Sequence, residues 1–574
     1  MPNTISGDLD LSQLPPYEKR LFVPANASLT NKDEVLALYE KLLQQSISSS
    51  QELESWLQDR SELDAAVDQA GSLLYIRMTS QTDDLNRAQG YKDFVENVVP
   101  AVKPLVDQLN QKYLKIRQNF SLDQKRYEIY DRRLHSDVEL FRAKNVPLQT
   151  HADLLSQEYQ TIAGAMTVHF NGEELTLPQM AKFLLEPNRQ LREEAWRLIS
   201  QRRLQDKDRL EEIFDRMLTL RHEIALNAGY NNFCDYQFRA YHRFDYTPNE
   251  CKQYHETIQR LVVPIVEGIL RKRKTQMNLR ELRPWDLAVD PLGLSPLKPF
   301  REVQELISGV GEIFFRLDKR WGEQFQEMAR CGLLDLASRK GKAPGGYQST
   351  LAEARKPFIF MNAVGIDQDV NTLLHEGGHA FHSLAAASQF LYPYRHAPME
   401  FCEVASMTME LLGGEHLDIF YNREDAQRSR LSHLEDIVEI LVWVAIVDSF
   451  QFWIYEHPKH SHPERTNAWL TIHERFSPQM VDWNGLKDIR AYLWHRQLHI
   501  FEVPFYYIEY GIAQLGALSL WLHFKKNPDE ALKSYQKALA LGGSRRLPEI
   551  FQAAGIKFDF SQNTIAPLTQ ELQL

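Results

Sequence analysis

Long amphipathic helical patterning runs through most of this chain, and it limits the possible folds more than any other feature. Asn31 can cap a helix, with Glu34 three residues on, and Leu36, Tyr39, Leu42 and Leu43 then repeat at helical spacing. The stretch from Arg189 to Arg221 is dense in Arg, Glu and Leu, with Leu191, Ala195 and Leu198 on one face. Its charges read as solvated surface. Two segments break the pattern. Residues 283–300 hold Pro284, Pro291, Pro296 and Pro299, which predicts a loop or extended connection. Residues 343–362 hold Pro344, Gly345 and Gly346, then the apolar run Pro357 to Asn362, which reads as a short strand. No fixed-period repeat appears, which argues against a solenoid. The prediction is a mainly α protein with a small sheet. Pro178 and Pro187 flank a short helix and suggest a boundary near residue 185, separating an N-terminal helical region, 1–185, from a helical domain with the sheet, 186–574.

Composition narrows the partners. With 66 basic and 77 acidic residues the 574-residue chain carries a net charge of −11, and nucleic-acid binding needs a basic footprint instead. Cys234, Cys251, Cys331 and Cys402 are far apart and form no CxxC pair, which argues against a disulfide framework and against a cysteine-rich zinc site. The first twenty residues show no signal-type apolar core. The most apolar stretch, 437–455, is interrupted by Glu439 and Asp448, leaving the eight residues 440–447, too few to span a bilayer. The expectation is a soluble, cytoplasmic protein with neither a nucleic-acid nor a membrane partner.

The informative segment is TLLHEGGHAFH, 372–382. His375 and His379 are four apart, so a helix places them one turn above each other on one face. Two neutral imidazoles at that spacing can hold one Zn²⁺, and Glu376 can reach a water on the metal and take its proton. This is the HExxH pattern of a zinc peptidase. Asp367 or Asp369 can cap the helix, and Val370, Leu373, Leu374, Phe381 and Leu384 supply its buried side. Gly377 and Gly378 inside a helix cost about 1 kcal/mol each relative to alanine, which suggests that another backbone approaches closely there. A catalytic site needs a third donor. His382 falls on the same face, but a metzincin would have glycine at 382 and histidine at 385, where this chain has His382 and Ala385; packing or a hydrogen bond suits His382 better. Glu400, Glu403 and Glu410 lie on a second helix downstream, and spacing does not choose among them.

HEGGHAFH, followed 24 residues after His379 by Glu403 in CEVAS, resembles the thimet-oligopeptidase superfamily, specifically its oligoendopeptidase F branch. FNGEELTLPQM at 170–180, PGGYQST at 344–350, PFIFMN at 357–362 and GGSRRLPEIFQAAGI at 542–556 extend the resemblance over most of the chain. It implies His375, His379 and Glu403 as ligands of one zinc ion per chain, Glu376 as general base and Glu410 as a residue behind the ligands. It also implies an almost wholly helical fold enclosing a deep channel, with strand 357–362 as the sheet edge beside the metal and the Gly345–Gly346 turn near the cleft. A late segment, WHRQLHIFEVPFYYIEY at 494–510, is similar to one in which a histidine precedes two tyrosines four apart. His499, Tyr506 and Tyr510 match it as oxyanion donors, with Tyr506 and Tyr510 expected on one helix face. The count from histidine to first tyrosine differs from the family pattern, so Tyr507 is a rival.

The implied function is a zinc-dependent endopeptidase acting on oligopeptides small enough to enter a channel. A carboxypeptidase of similar helical HExxH type, and a metal-loaded peptide-binding protein without turnover, are the alternatives. Cleavage preference and oligomeric state are not legible at this level.

Overall fold

The structure, a computed structural model, describes residues 14–339, 341–343 and 345–572. The first thirteen residues, part of the leader reading, and Pro344 of the glycine turn lie outside the described residues. The described chain is 69% helical with two small sheets, as the patterning predicts. It divides into two compact units, each built from three separated segments. The first comprises Met1–Thr150, Pro299–Phe420 and Gly516–Phe558, and the second His151–Lys298, Tyr421–Leu515 and Asp559–Leu574. Residue 185 therefore lies inside the second unit.

In the first unit, helix Lys32–Gln44 is capped by Asn31, whose Oδ1 accepts from the N–H groups of Asp33 and Glu34 at 3.0 and 3.2 Å. Its buried face is Val35, Leu38, Tyr39 and Leu42, one position round from the predicted stripe. After helix Ser50–Ser80 come helix Leu85–Asp93, a π-helical turn Phe94–Val98 and helix Val99–Arg117 without a break. The π-turn has a covalent cause. Val99 N–H donates five residues back to Phe94, and Pro100, having no N–H, cannot close an α-type bond to Glu96.

The unit's three-stranded sheet sits against the HExxH helix. The apolar run 357–362 is its central strand, Lys356–Ala363, parallel to Leu334–Ala337 and antiparallel to Tyr347–Leu351. This corrects the expected edge position: five consecutive buried residues, 357–361, suit a strand covered on both faces. The edges are Leu334–Ala337 and Tyr347–Leu351. Thr350 pairs with Pro357, which has no N–H, so theirs is a non-hydrogen-bonded pair. By alternation, Gln348 and Thr350 turn their backbone polar groups to the free edge.

In the second unit the proline-rich segment begins with a 3₁₀ turn, Pro284–Asp286, and continues irregularly, as predicted. The Arg-rich stretch divides at Asp206 into helices Arg189–Gln205 and Lys207–Asn227. Its charges are not all solvated: Arg192, Glu211 and Arg221 are buried. Arg192 meets Asp286 at 3.0 Å, Glu211 accepts from Arg465, and Arg221 donates to the Phe501 carbonyl. Those partners come from distant segments, which local periodicity does not show. Helix Arg423–Glu456 is long and apolar enough to cross a membrane, but 72% of its most apolar window is buried inside the protein. Asp448 within it accepts from His255 at 2.7 Å, so it serves as a core helix.

Asp286 is fully buried and takes Arg189, Arg192 and the Arg283 N–H. Burial pushes its carboxyl pKa up, but these donors outweigh it and hold the group below its ordinary value. Asp286→Ala strands the Arg192 charge and should cost about 3–5 kcal/mol in urea unfolding. Because folding lowers this pKa, the stabilisation is present above the unfolded value of about 3.9 and is lost as pH falls through the folded one. The variant should therefore show a shallower acid limb in stability against pH.

Candidate metal centre

Helix Asp367–Ala386 carries the motif, and its start is held by Asp369. The Asp369 carboxylate accepts from the N–H groups of Val364, Gly365 and Ile366 at 2.8, 2.8 and 3.0 Å. Val370, Leu373, Leu374 and Phe381 are buried as predicted, with the Phe381 ring stacked on Trp321 and edge-on to Phe314. The two glycines have separate reasons. A Cβ on Gly378 would lie 2.6 Å from Ser406 Cα and 2.7 Å from the Ala405 carbonyl, so here the motif helix touches the backbone of helix Met399–Gly413. A Cβ on Gly377 would strike the Phe314 ring at 2.4 Å.

That contact brings Glu403 to the histidines. Its Oε2 lies 3.5 Å from His375 Nε2 and 3.6 Å from His379 Nε2. Ligand atoms about 2.0–2.1 Å from a tetrahedral ion are about 3.3–3.4 Å apart, so this triangle fits one divalent cation. Glu410 Oε1 accepts from His375 Nδ1 at 2.6 Å, leaving Nε2 for the ion. Glu400 is buried but is not part of the ligand group. His382 is also buried, edge-on to Phe401 and outside the group, in agreement with a packing role. Burial lowers its pKa to about 3, so it is neutral.

Glu376 is buried beside this triangle, and its Oε2 has no hydrogen-bond partner. The Gln348 N–H donates to the carboxylate from the free sheet edge. Burial is the largest influence on its pKa; His375 and the Gln348 bond oppose it, Glu403 and Glu410 reinforce it, and the result is about 7. That suits a group taking and returning a proton near neutral pH. Two contributors were not read from the sequence. Gln348 acts through its backbone and leaves no side-chain signal. Ser406 donates to Glu403 Oε2 at 3.1 Å, and its position three residues after Glu403 could have pointed to it. A second acid–histidine group, Glu211, Asp215 and His462, lies in the other unit, but Arg465 donates to both carboxylates and supplies the positive charge there.

The late aromatic segment groups as predicted in one respect and not in another. His499 Nε2 meets the Tyr510 hydroxyl at 3.1 Å, and the Tyr506 and Tyr510 rings are 5.6 Å apart. Tyr506, however, lies in the turn before helix Ile508–Lys526 rather than on it, following Phe505 at φ +64°. A bend, not a shared helix face, brings the two rings together. Tyr507 is buried beside Trp443 and Gln497, which hydrogen-bond to each other at 2.9 Å, whereas Tyr506 and Tyr510 are half-buried.

Two family models match the chain: peptidase family M3 over residues 183–569, and the peptidase M3 N-terminal domain over 22–141. An oligoendopeptidase F homolog of Borreliella burgdorferi is 23% identical over 72% of this chain and 69% of its own length. The oligopeptidase PepF of Bacillus subtilis is 25% identical over 51% of this chain and 44% of its own. The solved structure of PZ peptidase A with an inhibitor superposes with a TM-score of 0.89 at 27% identity, covering 97% of this chain and 98% of that one.

The helix contact yields a direct test. Gly378→Ala puts a methyl group into the Ala405–Ser406 backbone, and overpacking of that kind costs about 1–3 kcal/mol. The variant should unfold at lower temperature and bind Zn²⁺ more weakly in a chelator-competition titration, because Glu403 is carried away from the histidines. Unchanged affinity would show that the contact does not set the triangle.

Proposed function

The chain belongs to peptidase family M3 and is a metallopeptidase; from that premise we propose that it is a zinc-dependent endopeptidase cleaving internal bonds of short oligopeptides. The observation that carries this reading is the pairing of a tetrahedral-sized donor triangle with a buried carboxylate that has an unpartnered oxygen. Two imidazoles and one carboxylate suit Zn²⁺, and we assign one ion per chain to His375, His379 and Glu403. Zinc bound there would supply Lewis acidity towards a water and the scissile carbonyl.

The chain's own groups do the rest. Glu376 takes the proton of the attacking water through its free oxygen and returns it to the leaving amine. Gln348 N–H holds the other side of that carboxylate and limits its rotation. Ser406 and Glu410 hold Glu403 and His375 in the orientations the ion requires. His499, Tyr506 and Tyr510 are assigned as donors to the developing oxyanion. Their support is the family resemblance and the Tyr510–His499 hydrogen bond, which orients the hydroxyl. A reducing, cytoplasmic setting fits four cysteines that form no disulfide with one another.

A quenched peptide of ten or so residues should be cut internally, with cleavage abolished by 1,10-phenanthroline and restored by Zn²⁺. Trimming from the C-terminus alone would overturn the endopeptidase reading. Glu376→Gln should retain one zinc per chain and lose about 10²–10⁴-fold in kcat. Tyr510→Phe should lower kcat by about 10²–10³-fold with KM little changed. An unaffected kcat would remove Tyr510 from the site.

A further inference from the structure

The first unit contains a cavity of about 640 Å³ that the peptidase chemistry above does not use. It lies between helix Ser50–Ser80, the π-turn Phe94–Val98, helix Val99–Arg117 and Ser349 of the edge strand. Its size is within the roughly 300–1,000 Å³ of small-ligand sites. One wall is a stripe of valines, Val95, Val98, Val99, Val102 and Val106, at helical spacing. Val98 and Val102 are buried in the unit's core, while Val95, Val99 and Val106 are only half-buried and leave the stripe's outer side to the cavity.

The charged part of the lining is acidic, with Asp64, Asp68, Asp107 and Asp137 against Lys103, and the rest is largely aromatic. Asp64 is already engaged, by Tyr39 at 2.8 Å and by Arg60 at 3.4 Å. Asp107 is 7% exposed; its Oδ2 accepts from Gln111 at 2.7 Å, while its Oδ1 has no partner. A buried carboxylate oxygen left unpaired carries a desolvation penalty that a donor would relieve; burial raises the Asp107 pKa, and Gln111 and the nearby Arg142 offset only part of that. Burial pushes the Asp68 carboxyl up to about 6, with a Tyr392 hydrogen bond opposing and Asp64 adding to it, and a cation would relieve that strain. The chemistry complementary to both walls is an ammonium group attached to an apolar side chain.

The cavity also joins the edge strand that serves the candidate metal centre. Tyr347 turns to helix Ser50–Ser80, its hydroxyl 2.6 Å from Thr79 Oγ1, and Ser349 shares that face. Thr350 turns the other way, to Ser383 of the motif helix at 2.9 Å. Gln348, next to Ser349, gives its N–H to Glu376. An extended peptide added to this edge would present alternate side chains to the cavity and to the motif helix.

We propose that the cavity seats the free amino-terminal residue of a peptide substrate, with the α-ammonium on Asp107 and the apolar side chain against the valine stripe. This rests on the endopeptidase reading for its role in turnover, but not for the binding itself.

Two experiments separate these. Leucinamide and N-acetyl-leucinamide are titrated calorimetrically into zinc-loaded Glu376→Gln protein. Leucinamide should bind, and the acetylated form should bind at least about tenfold more weakly, as expected for a lost charge-assisted hydrogen bond. Asp107→Asn in that background should abolish the preference, and Val99→Phe, which fills the cavity from its half-exposed wall, should weaken both. In turnover, a peptide with donor and quencher on internal side chains is compared with its N-acetylated form. Acetylation should raise KM about tenfold at unchanged kcat, and Asp107→Asn should level the two. Equal KM values in the parent enzyme, or a preference that survives Asp107→Asn, would overturn the proposal while leaving the peptidase reading intact. Asp107-dependent leucinamide binding by a protein that cleaves nothing would uphold the cavity and overturn the peptidase reading instead.

Discussion

The candidate site depends on one contact between two backbones. Gly378 lies directly on Ala405 and Ser406, and no side chain intervenes. This closeness lets the short side chain of Glu403 reach both imidazoles, and it places Glu410 behind His375. The aromatic packing of Phe314, Trp321 and Phe381 on the motif helix, and the Tyr535 hydroxyl on the Ala405 carbonyl, hold the two helices in that register. A helix interior tolerates two adjacent glycines only with such support, because each costs about 1 kcal/mol in helix propensity.

Electrostatics then follow from geometry. Three carboxylates, Glu376, Glu403 and Glu410, converge on two imidazoles; Glu376 and Glu403 are buried, and the other three groups are partly exposed. Burial works against charge on His375, but Glu410 and Glu403 outweigh it and raise its pKa, while burial lowers that of His379. The cluster as a whole therefore calls for positive charge at its centre. In the other unit, the Glu211, Asp215 and His462 group meets the same demand with an arginine.

The parts of this arrangement that were readable in the sequence are those set by local spacing. His375, Glu376 and His379 follow from one turn of helix, and so do the cap at Asn31 and the loop at Pro284. The choice of Glu403 over Glu400 and Glu410 needed either the resemblance or the packing, since all three lie on one helix. Strand 357–362 was legible as a strand but not as a central one, because its neighbours on both sides come from other stretches of chain. Arg192 and Glu211 looked solvated because their partners, Asp286 and Arg465, are remote in sequence. Tyr506 looked helical because nothing nearby announces that Phe505 takes a positive φ.

The three-segment construction of the first unit bears on how the protein is made. Residues 1–150 leave the ribosome long before residues 516–558, with which they share a unit. At about 5–20 residues per second the interval is roughly 20–70 s. The helix pair holding His375 and Glu403, made by residue 413, then waits roughly 6–24 s at that rate for Tyr535, and slightly longer for the Gly543 N–H, which binds the Tyr394 carbonyl at 2.8 Å. Nascent chains would thus carry a half-supported peptidase site until residues 516–558 have been made. The peptide-cleaving chemistry would then gain its full support only after every segment of its unit has been made.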